Sequence, residues 1–395
     1  MTKQHILAIA CGLMATNAFA TEAPQYGEIL DGINMYTPED TDPQYKITAN
    51  EKYGTQWAID LAYGYWHTNG ADPATNNNNN FALLHAVLTQ RLIEDNHNGG
   101  TWVRAEFSGS WGLDNRSAAS DKQFVDGIGD FSGVHSDIYG PHDLVIPELS
   151  LMHYFNGKRA CVIAGMVNLT NYFDCVGPAN DSFHSFANNA FVNSTVLGLS
   201  DANLGAVFQY EIDGVSYAMV GFSRETTDYG YNPFNSGESF LLVGEYGRTI
   251  CDDKATIRIN PFFRQVDEGD KNRHNAGIAA SIEYTPCDNV TFFARTGIAA
   301  KQDLGAAFDF SCGATYSGLF DREDDFVGVA LGVFKGTNHA DEPTIHNREY
   351  VIEAVYNLQI NDFLKIRPHL QYIKNPAYSS ESDAVAAGVQ AVFSF

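Results

Sequence analysis

The feature that most constrains this chain is a two-residue alternation of large apolar and small or polar side chains, which recurs until the last residue, Phe395. In residues 57–65, WAIDLAYGY, every odd position is large and apolar or aromatic, and every even position is small or polar. The pattern returns in residues 103–111 and 352–360. Successive side chains of a β-strand point to opposite faces, so each segment predicts a strand with one apolar face.

Sixteen such segments can be marked along the chain. The number is even, as in single-chain bacterial barrels, and most segments are long enough for a tilted strand to cross a membrane. The alternation therefore predicts an all-β fold, a transmembrane antiparallel up-and-down β-barrel. The predicted strands lie near residues 55–66, 81–93, 101–111, 145–155, 160–168, 203–211, 214–224, 238–250, 254–265, 274–285, 289–300, 304–316, 325–335, 347–360, 363–374 and 384–395.

The lengths of the connections give a second test of this architecture. With both chain ends in the periplasm, connections should alternate between long outside loops and short inside turns. The predicted inside turns are rich in turn-forming residues, and the sequence around residues 301–324 does not allow the turns to be placed. The inside turns lie at 156–159, 212–213, 251–253, 286–288 and 361–362, and the outside loops at 67–80, 112–144, 169–202, 225–237, 266–273, 336–346 and 375–383.

The composition fits such strands, although a soluble two-sheet protein would have a similar one. The chain contains 26 Phe, 20 Tyr and 35 Gly with only 18% charged residues, as is typical of β structure. After residue 20 no run of about eighteen apolar residues occurs, which excludes an inner-membrane helical protein.

Three regions follow from these patterns. Residues 1–20 resemble a secretory signal peptide, with Lys3 near the start, an apolar run and the small-residue exit Ala18-Phe19-Ala20. Residues 21–54 are polar and lack sustained periodicity, so they predict a periplasmic N-terminal segment or a plug. Residues 55–395 form the predicted transmembrane barrel, and export predicts that it lies in the bacterial outer membrane.

The sequence contains no catalytic or phosphate-binding signature, so we expect no enzyme activity, no cofactor and no bound metal. The acidic cluster in residues 321–325 could bind a cation, but its place at an element junction favours a solvated turn. A net charge of −24 makes nucleic acid a poor partner. Five cysteines follow the signal, an odd number that lacks zinc-site spacing: Cys161, Cys175, Cys251, Cys287 and Cys312.

Charged and amide side chains occupy the polar phase of the predicted strands. A charge on the lipid face costs about 2 to 4 kcal/mol at mid-depth, so these side chains are predicted to face the lumen. Acids and bases are mixed, which suits neutral polar solutes. The predicted solute path is lined by Arg104, Glu106, Arg224, Glu245, Arg258, Arg264, Glu283, Arg295, Glu349, Glu353, Lys365, Arg367 and Gln371.

Four aromatic residues share that phase: Trp66, Phe222, Phe262 and Phe293. A flat ring can lie against the C–H face of a sugar, which makes these residues candidates for sugar stacking. The alternative is that they pack against an inward-folded loop or the N-terminal segment. The two longest outside connections, near residues 112–144 and 169–202, could narrow a pore in this way, since long loops tend to be functional. The sequence does not show which of them folds inward.

The closing strands resemble those of the carbohydrate-selective porins, the OprB-type family. Residues 349–356 (EYVIEAVY), 364–368 (LKIRP) and 371–376 (QYIKNP) match a pattern in which the penultimate strand ends in a Gln-Tyr-x-x-Asn-Pro corner before an apolar final strand. Residues 165–174 and 191–194 (FVNS) resemble the family's central segment. Two features depart from the family, namely the absence of a Trp-Gly-Gly-Leu-like opening and the five cysteines.

The resemblance extends over roughly residues 80–395 and implies a porin for facilitated diffusion of mono- or oligosaccharides. Its implied partners are outer-membrane lipid, small neutral carbohydrates as permeants, and the barrel assembly machinery, which reads a terminal aromatic strand. Two alternatives remain open. The acidic balance also fits a general or cation-preferring porin, and the composition also fits a secreted soluble β-sandwich that binds glycans.

Overall fold

A computed structural model gives the structure of the protein. It describes residues 28–35, 43–69, 77–95, 99–113, 132–136, 142–224, 239–268, 271–300, 306–335 and 345–395. The predicted signal peptide at residues 1–20 lies outside the described residues.

The described residues contain sixteen strands, as predicted. Their bounds are β1 Thr55–Asn69, β2 Asn78–Ile93, β3 Thr101–Gly112, β4 His142–Phe155, β5 Ala160–Val167, β6 Asn203–Asp213, β7 Ser216–Arg224, β8 Phe240–Ile250, β9 Ala255–Glu268, β10 Lys271–Cys287, β11 Val290–Ala299, β12 Phe308–Ser317, β13 Phe326–Lys335, β14 Glu349–Asn361, β15 Leu364–Lys374 and β16 Asp383–Ser394.

The strands form one closed antiparallel barrel in which each strand pairs with its neighbours in the sequence and β1 pairs with β16. The ladder continues to the last residue, because Phe395 N donates to Ile59 O at 2.8 Å and Ile59 N donates to Phe395 O at 3.1 Å. Closure leaves no unpaired sheet edge. The transmembrane barrel prediction is therefore confirmed, and the soluble β-sandwich alternative is wrong because a single closed sheet replaces two packed sheets.

The alternation sorts side chains between the two faces of the barrel. In β16 the side chains of Val385, Val389 and Phe393 are exposed on the outside, whereas Ala386 and Gln390 are buried inside. The outward apolar side chains need hydrocarbon as a solvent, and the lumen accepts the polar ones. The two phases of the final strand therefore face the outside and the inside of the barrel.

One connection differs from its predicted length, and one that the sequence left open can now be placed. β9 and β10 pair as far as Glu268 and Lys271, so only residues 269–270 join them and the predicted outside loop at 266–273 is wrong. The strands themselves extend further than the apolar alternation does. In the region that the sequence left open, residues 318–325 join β12 to β13. The acidic cluster is mostly a solvated turn, since residues 321–324 are exposed and Asp325 binds Arg322 at 2.6 Å.

Two short helices precede the barrel, α1 (Glu28–Asn34) and α2 (Gln44–Tyr53). α1 lies inside the barrel, where Leu30 is fully buried and the amide of Asn34 donates to Tyr154 Oη at 3.0 Å and to Gln209 Oε1 at 2.6 Å. It therefore covers part of the inner wall of β4 and β6 at the end where the chain enters the barrel. Within the described parts of the chain, none of the helices has the length and apolarity needed to cross a membrane.

Candidate functional site

The lumen is occupied by the connection between β5 and β6, residues 168–202, which we call the inner loop. Its large apolar side chains are buried, with Phe173, Phe186 and Phe191 fully so and Leu169 and Tyr172 at most 1% exposed. An outside loop that extended into water would leave these rings exposed. Of the two long connections considered from the sequence, 169–202 is thus one that folds inward.

Glycines on the inner face of the wall make room for the rings of this loop. A Cβ at Gly221 would lie 2.6 Å from the Phe173 ring, and one at Gly328 would lie 2.9 Å from the Phe186 ring. Real Cβ atoms do not approach carbon this closely, so only glycine permits the contact. The strand sequences are therefore shaped to receive the inner loop.

Carboxylates of the wall accept hydrogen bonds from backbone amides of the inner loop. Glu353 accepts from Ala187 N and Asn188 N, both at 2.9 Å. Glu245 accepts from the backbone N of residue 174 at 2.7 Å, and Glu283 from that of residue 177 at 3.0 Å. The loop contains only short 3-10 turns, so its backbone groups need partners from elsewhere. The wall supplies anionic acceptors, which form the stronger kind of hydrogen bond.

Guanidinium groups of the wall bind backbone carbonyls of the same loop in the complementary way. Arg295 donates to Phe191 O at 2.6 Å and to Asp174 O at 3.0 Å, and it also forms a 3.1 Å ion pair with the Asp174 carboxylate. Arg367 donates to Ser182 O at 2.6 Å and also to Ser185 O. Arg264 donates to Leu197 O at 2.9 Å and also to the next carbonyl. These arginines clamp the loop onto the wall.

These contacts show that most residues of the predicted solute path do not line open lumen. The strands do place them on the inner wall, but the inner loop and residues 132–136 cover them, so they do not face open lumen. Residue types alone could not reveal this, because a charged side chain that lines a pore and one that clamps a loop share the same strand phase. The covered residues are Glu245, Arg258, Arg264, Glu283, Arg295, Glu349, Glu353, Arg367 and Gln371, all buried.

A second segment, residues 132–136, also lies inside the barrel. Ser132 N donates to Glu349 at 2.9 Å, and Gln371 donates to Val134 O at 2.9 Å. His135 is 2% exposed and its ring lies 2.5 Å from the Gln390 amide nitrogen. Burial, with His369 and Arg367 nearby, holds the pKa of His135 well below its ordinary value.

Two residues predicted to face the lumen, the path residue Arg224 and the stacking candidate Phe222, lie on the other face. In β7, Phe222 is 43% exposed and Arg224 is exposed, whereas Gly221 and Ser223 between them face inward. The inner loop needs small residues at those two positions, since Phe173 packs on Gly221 and Ser200 lies 2.7 Å from Ser223. Both phases of β7 carry apolar residues, so the alternation gave no clear choice of face.

The other three aromatic candidates point inward but are packed. Trp66 is fully buried beside Gly388, and Phe262 and Phe293 are 5% and 3% exposed, against Gly277 and Gly313. Phe293 also contacts Phe186 of the inner loop, with ring centroids 5.8 Å apart. These three rings are packed, as the alternative to sugar stacking predicts.

A further group of polar side chains, some of them partly open, lies mainly on β1–β3. We call this group the polar cluster, and it joins these strands and β15 to the inner loop. His85 is 31% exposed at 3.1 Å from Glu106, and Asp181 of the inner loop is 33% exposed. The cluster comprises Asp60, His85, Glu106, Asn171, Asp181, His184 and Lys365.

The members of the polar cluster bond mainly to one another. His184 Nε2 lies 3.2 Å from Asp60 Oδ2 and 3.8 Å from the Asp181 carboxylate, and Lys365 Nζ lies 2.7 Å from His184 Nδ1. The amide of Asn171 donates to Glu106 at 2.6 Å. Such a surface offers both donors and acceptors to a solute. Of these residues, only Glu106 and Lys365 were among the predicted lumen-facing residues. Asp60 and His85 carried the same signal, since each is a polar residue on the inward phase.

Arg104, the remaining predicted path residue, lies beside this cluster. Its guanidinium donates to Asn34 O of α1 at 3.2 Å and lies 3.7 Å from Glu148, with 13% of the side chain exposed. Glu148 in turn accepts from the hydroxyl of Tyr172. Burial and the neighbouring Glu148 raise the pKa of Tyr172 well above its ordinary value, so this phenol stays protonated as a donor.

Comparisons with known proteins fit this architecture. Residues 253–395 match the model of the carbohydrate-selective porin family, OprB. The high-pH structure of OprB from Pseudomonas putida is similar, with a TM-score of 0.72 and 16% identity over 95% of this chain and 100% of that chain. Its low-pH structure gives 0.57 and 14% over 91% and 99%. A loop L8 deletion mutant of OmpT, an outer membrane protein of Vibrio cholerae, gives 0.50 and 11% over 86% and 99%. Curated protein sequences give no match.

At these identities the structural comparisons show the fold alone, and the family model adds a sequence relationship for β9–β16. Residues 347–376, over which the resemblance is sharpest, lie within that match, so the resemblance is confirmed. Residues 253–395 therefore match the OprB family of carbohydrate-selective porins in sequence, and the described barrel has the fold of an OprB porin.

Proposed function

We propose that the protein is a porin for facilitated diffusion of small neutral sugars across the bacterial outer membrane. The observation that carries the proposal is the polar cluster, which leaves His85, Asp181 and Lys365 partly open beside an otherwise clamped inner loop. The description of the matching family, a carbohydrate-selective porin, supports the same solute class.

The chemistry of the cluster suits hydroxyl groups. A sugar hydroxyl can accept from Lys365 or from a ring N–H of His85 and can donate to Asp181. These contacts replace part of the hydration shell of the sugar as it passes the inner loop. Binding must remain weak, because a solute that binds tightly does not leave. No covalent step and no cofactor are required.

Charge in the cluster is mixed rather than of one sign. Asp60, Glu106 and Asp181 are acids, Lys365 is a base, and the two histidines can donate or accept according to their tautomer. A neutral solute meets donors and acceptors there, whereas an ion of either sign meets groups of its own charge. Mixed charge in the polar cluster therefore favours neutral polar solutes over salts.

Liposome swelling tests the proposal. Proteoliposomes should swell faster in small sugars than in amino acids or salts of similar size. Asp181→Asn should lower the sugar preference, because the amide keeps the acceptor that caps Phe183 N at 2.7 Å but loses the anion. Asp253→Asn, in an exposed turn, is the matched control. Equal permeation of sugars and salts in the wild type would overturn the sugar-selective function.

The second candidate is a general or cation-preferring porin, which the net charge of −24 favours. Planar bilayers separate the two candidates. A sugar porin should show sugar-dependent block of single-channel current with modest ion selectivity. A strongly cation-selective reversal potential without any sugar block would favour the general pore.

The membrane and assembly partners belong to the same proposal. The exposed apolar side chains on the outside would contact outer-membrane lipid, and the terminal strand with Phe395 would be read by the barrel assembly machinery. Removing Phe395 also removes its two backbone bonds to Ile59. We expect less folded barrel in the outer-membrane fraction, whereas Phe395→Tyr, which keeps an aromatic terminus, should assemble normally.

A further inference from the structure

Three basic side chains lie on the outer face of the barrel, at the end opposite to the inside turns. Lys335 ends β13, Arg348 directly precedes β14 and Lys374 ends β15. Phe334 pairs with Glu349 across β13 and β14, and both point into the barrel. Side chains alternate along a strand, so Lys335 and Arg348 lie side by side and point outward. Together with the exposed Lys374 they form a group that we call the basic rim patch.

The described residues leave this patch with little negative charge. Among them, the Lys335 and Arg348 side chains have neither a hydrogen-bond partner nor an ion-pair partner. Asp383 faces Lys374 across β15 and β16, and its Oδ1 accepts from the Tyr372 hydroxyl at 2.6 Å. One carboxylate is thus set against three cations, in a chain whose net charge is −24. A positive patch on so acidic a protein suits an anionic partner.

The same rim carries amides rather than lysine or arginine at β1 and β2. There Tyr63 donates to Asn80 at 3.0 Å, and Tyr65 donates to Asn78 at 2.8 Å. The positive charge is therefore a property of β13–β15 and not of the rim as a whole, so it requires a local explanation.

Below the three cations, the outward side chains of the same strands become aromatic and then aliphatic. The outward positions that follow the cations are Val333 and Leu331 on β13, Tyr350 and Ile352 on β14, and Tyr372 and Leu370 on β15. Tyrosines mark the level of the membrane–water interface in transmembrane barrels. The cations thus lie at the depth of lipid headgroups, and the aliphatic side chains lie at the depth of acyl chains. This order suits a lipid rather than a free anion.

The spacing of the cations suits two phosphate groups. Arg348 can bind a phosphate through two parallel hydrogen bonds, and a lysine binds one as a point charge. β14 separates β13 from β15, which puts the backbones of those two strands about 10 Å apart at about 4.8 Å per strand. One phosphate therefore fits the adjacent Lys335 and Arg348, and a second fits Lys374 on the far strand.

We propose that the basic rim patch binds an outer-leaflet lipid that carries two phosphate groups, with its acyl chains against the outer face of β13–β15. The assignment to the outer leaflet rests on the membrane orientation of the proposed function, in which the long loops face outward. It does not depend on which solute the barrel conducts.

Native mass spectrometry of the detergent-solubilised full-length barrel measures this binding. The probe is lipid A, which carries two phosphates. Arg348→Gln should weaken lipid A binding about fivefold, because each cation near a membrane surface contributes about that factor. The triple variant Lys335→Gln, Arg348→Gln, Lys374→Gln should weaken it about a hundredfold. Arg248→Gln removes an exposed cation from the outer face at the opposite end of the barrel, and this matched control should bind as the wild type does.

Two further lipids test the phosphate chemistry. Monophosphoryl lipid A should bind more weakly than lipid A, because it lacks one of the two phosphates. Phosphatidylethanolamine, whose headgroup is zwitterionic, should bind equally to the wild type and to the triple variant. Equal binding of lipid A and its monophosphoryl form would overturn the assignment of two phosphates.

Other outcomes would overturn the patch itself. Equal lipid A binding by the wild type and the triple variant would show that these cations do not hold the lipid. An equal loss in Arg248→Gln would show a general effect of charge. A lipid-free dimer that disappears in the triple variant would assign the patch to a second copy of the chain. Heat-modifiable migration on gels confirms in each case that the variant barrel is folded.

The result is also separable from the proposed function. If sugars permeate selectively but the triple variant binds lipid A like the wild type, the lipid site is wrong and the porin function stands. If the triple variant loses lipid A but sugars and salts permeate equally through the wild type, the lipid site stands and the sugar-selective function fails.

Discussion

The two sides of the lumen use the same kinds of charged residue in different ways. On the side of β8–β15, Arg295 and Asp174 are each 1% exposed and bind to one another and to backbone atoms. On the side of β1–β3, His85 is 31% exposed and contacts the side chain of Glu106. The charged residues on the first side hold the inner loop in place, whereas His85 on the second side remains accessible to a solute.

The difference shows what determines the role of a luminal charge. A charge that satisfies backbone groups of an irregular loop loses its water and becomes part of the fold. A charge whose partners are other flexible side chains can exchange one of them for a solute hydroxyl. The comparison therefore predicts large stability effects on the clamped side, and large permeation effects with small stability effects on the open side.

Arg295→Met should have the largest effect on stability. The substitution leaves the buried Asp174 carboxylate without its cation and two loop carbonyls without a donor, at a cost of about 3–5 kcal/mol. The inner loop should detach, so single-channel conductance and protease cleavage within residues 168–202 should both rise. The exposed Arg248→Met is the control. Unchanged conductance and unchanged cleavage in Arg295→Met would show that the clamp is not needed.

Glu353→Ala tests the anionic half of the clamp. It removes the acceptor for the amides of Ala187 and Asn188, and we expect the local free energy of loop opening to fall by about 2–3 kcal/mol. Hydrogen exchange at those two amides measures the change directly. Glu353→Gln, which retains one acceptor oxygen, should show an intermediate loss. Equal hydrogen-exchange protection of the two amides in the wild type and in Glu353→Ala would show that Glu353 does not hold the inner loop.

Acidification should loosen residues 132–136. Burial, together with the nearby His369 and Arg367, lowers the pKa of His135 below its ordinary value of 6.5. The folded state thus binds the proton less well than the open state, and stability is lost as the pH falls below 6.5, by up to about 1.4 kcal/mol per pH unit. Hydrogen exchange of the segment at pH 7.5 and 5.5 checks this, and His135→Asn should remove the dependence. Protection that increases on acidification would reverse the sign and refute the assignment.

The sequence predicted the barrel because strand phase is a local property. Lipid imposes one apolar side chain at every second position, so β1, β3 and β16 could be recognised without knowledge of their neighbours. The site could not be predicted in the same way. That Glu353 accepts from Ala187 and Asn188 depends on where an irregular loop more than 150 residues away in sequence comes to lie. The pairing of Asp60 with His85 depends on the register between β1 and β2.

The smallest stability effect and the clearest functional one are expected at His85. Its ion pair with Glu106 is partly exposed, so His85→Ala should cost less than about 1 kcal/mol of unfolding free energy. The same substitution removes a donor from the open side of the lumen and leaves Glu106 to Asn168 and Asn171. We expect weaker sugar block of single-channel current with unchanged protease resistance of the inner loop. His67→Ala, an exposed position on the outer face of β1, should leave both properties unchanged. A large loss of stability in His85→Ala, with sugar block retained, would place His85 among the clamping residues and remove the distinction between the two sides.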